Sequence, residues 1–407
     1  MKHLKTVILL CKCSDKLMII LLVFTTGGCV EPFDAESLTF ESALVIDATI
    51  TNELKRQQVL FSRSFVLEEE GPAPERNATV YITDDQGTEF RFTEISAGNY
   101  LSEKPFAASA GREYRLRIKT GNGHSYASEV TRLTPLAQIE SVFAERITND
   151  EGIEGVAIRV NASGVSGDAK NYRYTFEETY KIIAPEWTPQ DLRGAPEGGC
   201  GVIVVLREEE EQTCYAMDSS RSIILTDTNS FSEDRVNSFM VRFINRDNYL
   251  ISHRYSILIR QMVQSDVAYI FFETLNKFSG SESLFSETQP GFLEGNVFSE
   301  ETEGERVLGY FDVASVTEQR IFFNYNDLFP GEPLPPYADP CNYNAPRLAG
   351  PGGCILRPIV EANLVRYVGD NVPGPFSPGE GRYITVPRIC GDCTVLGGVE
   401  VPEFWTE

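Results

Sequence analysis

The chain has 407 residues, with 36 Lys plus Arg against 59 Asp plus Glu and a formal net charge of −23. This length allows two or three domains, and a composition of 42% hydrophobic and 23% charged residues excludes disorder as a description of the whole chain. So acidic a chain repels phosphate, which argues against nucleic acid as a partner. The 32 Gly, 22 Pro and 11% aromatic residues suit a turn-rich β protein.

Residues 1–28 read as an export signal. Lys2, Lys5, Lys12 and Lys16 precede the apolar run Leu17 to Phe24, which is too short to span a bilayer. Thr25-Thr26-Gly27-Gly28 and then Cys29 resemble the lipobox of bacterial lipoproteins, in which Cys29 becomes the lipidated N-terminus. The expected product is anchored to a membrane without crossing it. Removing the four Lys and one Asp of the signal leaves 32 basic and 58 acidic residues, net −26. Residues 29–37 then form an acidic tether through Glu31, Asp34 and Glu36.

The first folded region is expected over 38–134. Leu44, Ile46, Ala48 and Ile50 alternate on one face of a strand, and Val59 with Phe61 follow after a polar turn. Val80 and Ile82 meet Phe90 and Phe92 across the turn Asp84 to Gly87, and Tyr114, Leu116 and Ile118 alternate with Arg115, Arg117 and Lys119. About seven short strands at this spacing predict an Ig-like or transthyretin-like β-sandwich.

A join at Leu133–Leu136 leads into a second region, 136–407. Strands are expected at 139–147, 156–161, 172–180, 202–206, 223–226, 239–244, 249–260, 307–313 and 320–324. A helix near 266–278, capped by Ser265, interrupts them, with Val267, Ile270, Phe271, Leu275 and Phe278 as its apolar stripe. The expected whole is mainly β: two sandwiches, Ig-like and fibronectin-like, the second with one inserted helix. Residues 327–407 are a Pro/Gly-rich tail that cannot build ladders freely and needs tying down.

Six cysteines follow Cys29: Cys200, Cys214, Cys341, Cys354, Cys390 and Cys393. In an exported chain an even number points to disulfides, and short loops favour Cys200–Cys214 and Cys341–Cys354. Two alternatives stand beside this. Cys390-Gly391-Asp392-Cys393 has the spacing of a redox dithiol, although a poor helix start follows it. Cys341, Cys354, Cys390 and Cys393 are four potential zinc ligands, although a second Cys-x-x-Cys is missing.

Several motifs resemble the family called domain of unknown function 4249, lipoproteins of Bacteroidota. They are Leu44-Val45-Ile46-Asp47-Ala48 with Ile50-Thr51-Asn52, Gly98-Asn99-Tyr100, and Gly111 to Leu116. Gln289-Pro290, Glu294 to Val297 and Val307 to Phe311 match its middle, and Cys390 to Thr394 with Gly397-Gly398 and Pro402 to Trp405 match its end. Tyr215 stands where the family often has Trp after its middle cysteine. The resemblance implies an outer-membrane lipoprotein, commonly encoded beside TonB-dependent transporters, and it transfers no catalytic residue.

Catalytic signatures are wanting: there is no His-Glu-x-x-His, Gly-x-Ser-x-Gly or phosphate-binding glycine loop. Of the three histidines, His124 falls at a hairpin start and His253 within a predicted strand. Glu208 to Glu211 reads as a solvated loop, with calcium the sharper alternative. Tyr337, Tyr343 and Trp405 either stack on a partner or, as preferred, pack beneath the tail. The expected protein is not an enzyme and needs no cofactor. It is an outer-membrane lipoprotein facing the cell exterior, serving a TonB-dependent transporter; the alternative is a stand-alone adhesin or glycan-binding protein.

Overall fold

The computed structural model describes residues 42–65, 71–165, 169–231, 233–279, 293, 295–372 and 374–407. The signal, Cys29, the tether, Gln289-Pro290 and Glu294 lie outside the described residues. Ala43 to Glu407 form one unit by their contacts. The unit is mainly β and contains several sheets.

The strand Leu44–Thr51 buries Leu44, Ile46, Ala48 and Ile50, as their alternation predicts. On one side it pairs antiparallel with Gln58–Arg63, which pairs in turn with Asn99–Ser102. The order continues through Glu89–Ser96, Thr79–Asp84, Glu113–Lys119 and Ser125–Ser128. Val59, Phe61, Val80, Ile82, Leu116 and Ile118 share its core, and each side chain of this size contributes about 1.5–3 kcal/mol by leaving water. Two buried tyrosines fasten the loops. The Tyr100 hydroxyl donates to the Glu75 carbonyl (3.0 Å) and accepts from the Ala78 N–H (2.9 Å), while that of Tyr114 accepts from the Ser109 N–H (2.8 Å).

Residues 44–132 do not complete this sheet. Val297–Ser299 pairs with Ser125–Ser128 at one edge, and Val307–Ala314 pairs in parallel with Leu44–Thr51 at the other. These two late strands also lie against each other, so the sheet comes near to closing on itself. Asn296 and Gly309 supply the chemistry. The Asn296 side chain grips the Phe311 backbone from both ends, accepting its N–H (2.7 Å) and donating to its carbonyl (2.8 Å). Gly309, at φ +112°, lies so near Ile46 that a Cβ would stand 1.9 Å from the Ile46 carbonyl oxygen.

Past the join, Ala137–Thr148, Glu154–Gly164 and Arg235–Asn245 form a three-stranded sheet. Thr213–Ser219, Asn171–Ile183, Arg254–Gln264 and Val316–Asn324 form the path of a five-stranded one, with Ile224–Asp227 pairing beside it. Both give side chains to one core: Val156, Ile158 and Val160 from the first, and Tyr172, Tyr174, Ile257 and Ile259 from the second. Tyr249–Ile251, expected as strand, is a 3-10 turn, because Asn248 accepts the Leu250 N–H and caps it. His253 therefore precedes the strand.

The helix runs over Asp266–Ser279, with the Ser265 hydroxyl accepting the Ala268 N–H (3.2 Å). Its buried face differs from the expected stripe. Ala268, Phe271 and Phe272 are buried, while Val267 and Ile270 are 64% and 60% exposed. With apolar residues on more than one side, periodicity could not choose the face, and the neighbouring Tyr310 and Arg173 select the Phe271–Phe272 side.

The tail contains more regular structure than its Pro/Gly content predicts. It holds the hairpin Val365–Asp370 with Tyr383–Pro387, the short pair Ala349–Gly350 with Gly353–Cys354, and the helix Leu356–Glu361. The hairpin Gln190–Gly194 with Val202–Leu206 joins them around Leu192, Leu356, Tyr367 and Tyr383. The bridges are Cys200–Cys354, Cys214–Cys393 and Cys341–Cys390. The expected local pairs, Cys200–Cys214 and Cys341–Cys354, are therefore wrong. Cys200 sits in the turn of one hairpin and Cys214 in a strand of a different sheet, so each meets the tail segment folded against its own element.

Candidate functional site

The Cys-x-x-Cys is a structural knot. Cys390 and Cys393 bond to different partners, so they do not form the expected alternative of a redox pair, and Cys354 is joined to Cys200 rather than sharing a four-sulfur cluster. Between them Asp392 is fully buried. It accepts from Arg388 Nε (2.7 Å) and the Thr394 N–H (2.9 Å), and it pairs with Arg366. Burial alone would raise its pKa. The Thr394 and Arg388 hydrogen bonds and the Arg366 charge outweigh that and hold the carboxyl below its ordinary range. Gly391 is required because a Cβ there would stand 2.7 Å from that of Arg366. Asp339, Cys341 and Cys390 cluster as a metal-ligand set would, but the two sulfurs are bonded to each other.

The aromatic candidates divide. Tyr337 donates to the Ile389 carbonyl (3.0 Å) beneath the tail. Trp405 is buried edge-on against Tyr215, with ring centroids 5.0 Å apart, and Tyr215 exchanges two backbone hydrogen bonds with Gly398. The segment Gly397 to Trp405 thus covers the strand Thr213–Ser219 beside Cys214. Tyr343 is exposed. Glu208 to Glu211 does not converge on one point: Glu211 pairs with Arg207 (2.6 Å), while Glu210 accepts the Gln212 and Thr213 N–H groups. His124 lies 3.6 Å from Glu301, and burial followed by the Lys181 charge lowers the pKa of His253. Neither histidine hydrogen-bonds a serine hydroxyl among the described residues.

The arrangement with most chemical capacity lies where the first sheet meets the helix and the strand Asn171–Ile183. A cavity of about 570 Å³ opens there, walled by Phe271, Phe272, Leu275, Tyr310, Leu308 and Val45. The Phe271 and Tyr310 rings lie 5.3 Å apart. A second cavity of about 460 Å³ is lined by Lys55, Arg56, Arg173 and Arg260, with Asp47 and Glu177 as its carboxylates. Asp47 and Arg173 line both cavities. The Arg173 guanidinium stacks over the Phe272 ring at 4.0 Å and stands 3.7 Å from the buried Asp312, which also accepts from Gln264 (2.9 Å). Burial raises the Asp312 pKa and lowers that of Arg173.

Sequence reasoning did not find this site. Arg173 reads as an outward position between the buried Tyr172 and Tyr174, and Asp312 as an interruption in an apolar strand. No local spacing links residue 173 to residue 312. The adjacent phenylalanines of the helix, next to a break in its stripe, were the one available signal.

Residues 30–320 match the family described as Domain of unknown function (DUF4249). The match covers well over half of the chain, and the protein belongs to that family. No curated protein matches the chain. Among solved structures, a DUF4785 family protein from Legionella pneumophila is similar at 9% identity, covering 54% of this chain and 51% of that one with a TM-score of 0.18. The chain thus spans about half the length of that structure, and a likeness so slight carries no argument.

Proposed function

We propose that this chain is a non-catalytic lipoprotein of the outer membrane, held by Cys29 and facing the cell exterior, that captures a substrate for a TonB-dependent transporter. In this reading its two β regions are an Ig-like and a fibronectin-like sandwich, and their junction is the capture site. The observation that carries the reading is the paired cavity at that junction, apolar on one side and lined by Lys55, Arg56, Arg173 and Arg260 on the other. Family membership supports it through the lipoprotein character that the resemblance implies. A lipid anchor confines the protein to one leaflet, which raises its effective concentration beside a membrane partner, so modest contacts suffice for association.

Gentle detergent extraction followed by mass spectrometry tests this. The native protein should be recovered with a TonB-dependent transporter, and Cys29→Ala should abolish lipid labelling and free the chain from membranes. Recovery as a monomer in several mild detergents would count against the partner and favour a stand-alone adhesin.

A further inference from the structure

We propose that the junction binds an amphipathic organic acid, its apolar body against Phe271, Phe272, Leu275 and Tyr310 and its carboxylate at Arg173. This names the substrate class of the capture protein proposed above and rests on that reading. Three observations lead to it.

The apolar cavity, about 570 Å³, falls in the size range of small-molecule sites. Its wall is made of aromatic and aliphatic side chains from the helix and from the strands Val307–Ala314 and Leu44–Thr51. Such a wall receives a hydrocarbon or ring body and offers it few hydrogen bonds.

The polar end gathers basic side chains in a chain of net charge −23. Four cations line the adjoining cavity against two carboxylates. Lys55 (2.7 Å) and Arg260 (2.5 Å) are already engaged by Glu53. Arg56 donates to the Ser102 carbonyl through Nε. Arg260 is also held by Glu318 (3.2 Å), which leaves Arg173, whose nearest carboxylate stands 3.7 Å away, as the place for an anion.

Arg173 is the hinge between the two cavities, and its donors are under-used. Its terminal nitrogen meets the Thr49 hydroxyl (3.3 Å) and the Met262 sulfur (3.4 Å), both weak partners. Asp312 at 3.7 Å balances its charge without accepting a close hydrogen bond. Its Nε is buried and has no hydrogen-bond partner. Donors in folded proteins are almost always satisfied, and the guanidinium of Arg173, which lines both cavities with only weak partners, has capacity left for an acceptor. A guanidinium matches a carboxylate in shape as well as charge.

The test uses the full chain carrying Cys29→Ser, which keeps detergent out of the titration. Dodecanoate, dodecanol and dodecyltrimethylammonium are titrated by calorimetry below their micellar concentrations, and phosphatidylglycerol vesicles by co-sedimentation. One dodecanoate should bind per chain, with the alcohol and the ammonium weaker by about tenfold or more, since each lacks the charge-assisted hydrogen bond. Arg173→Gln should reduce dodecanoate to the affinity of the alcohol. Leu275→Gln, at a half-exposed wall position that spares the core, should weaken acid and alcohol alike. Equal binding of acid and alcohol by the unaltered site, binding of neither, or binding of vesicles without dodecanoate overturns the proposal, whatever the variants do. The two readings fail separately. Dodecanoate binding by a protein that recovers no transporter keeps the site and removes the partner, while transporter recovery with indifference to dodecanoate does the reverse.

Discussion

The sheet built around Leu44–Thr51 and the tail from Asp327 onward hold their shape by different means. The sheet contains none of the bridged cysteines and draws on a continuous set of alternating buried side chains, fastened by Tyr100, Tyr114 and Asn296. The tail contributes four of the six bridged cysteines, and the buried core around its Leu356 is small. A segment rich in Pro and Gly cannot bury enough apolar surface or form enough ladder to offset its ordering entropy. Cross-links that restrict the unfolded chain, and a buried Asp392 between two arginines, take the place of a core.

The largest expected effect sharpens the sheet side of this contrast. Asp312→Ala leaves Arg173 buried without its counter-charge and should lower stability by about 3–5 kcal/mol in urea unfolding. The bridges should survive it in thiol titration. A loss near zero would mean that Arg173 relaxes into solvent, and that the sheet depends on this pair no more than the tail does. Next comes removal of the bridge Cys214–Cys393, which closes a loop with a sequence separation of 179. Cys214→Ala with Cys393→Ala should cost about 2–4 kcal/mol, and limited proteolysis should cut the tail before the sheet. Simultaneous cleavage of both would break the comparison.

The smallest effect is expected from acid. The folded pKa of Asp392 lies below its ordinary value of 3.8. Its contribution is therefore complete above that value and is lost as pH falls through the folded pKa. The stability difference between the native protein and Asp392→Asn should hold at neutral pH and shrink in this acidic window, measured by urea midpoints across the range. A difference that persists unchanged to the lowest pH would show that the carboxylate charge is not what the knot uses.

Legibility in the sequence follows the same divide. Strand positions in the first region were readable because half-buried strands alternate, and Leu44, Ile46, Tyr114, Leu116 and Ile118 are buried as their period requires. What local pattern could not carry was pairing across distance. Nothing near Val307 announces that it will lie beside Leu44, and nothing near Cys200 announces Cys354. The cysteines were legible as disulfide formers and illegible as pairs, because loop length favours neighbours while the folded elements bring distant ones together. The junction cavity was hidden for the same reason: its walls come from residues 45, 173, 271 and 310, each ordinary in its own segment.

The parallel pairing of Leu44–Thr51 with Val307–Ala314 has a consequence in time. A chain that emerges N-terminus first presents one of its earliest strands long before that partner exists. During the interval the open edge is Leu-Val-Ile-Asp-Ala-Thr-Ile-Thr, a stretch of high β-propensity with a single charge. Such an edge is a template for pairing with whatever strand arrives first, including its counterpart on a neighbouring nascent chain. Non-local closure is slow. Asp47, the lone charge on that edge, is the residue there that discourages such pairing until Val307–Ala314 arrives.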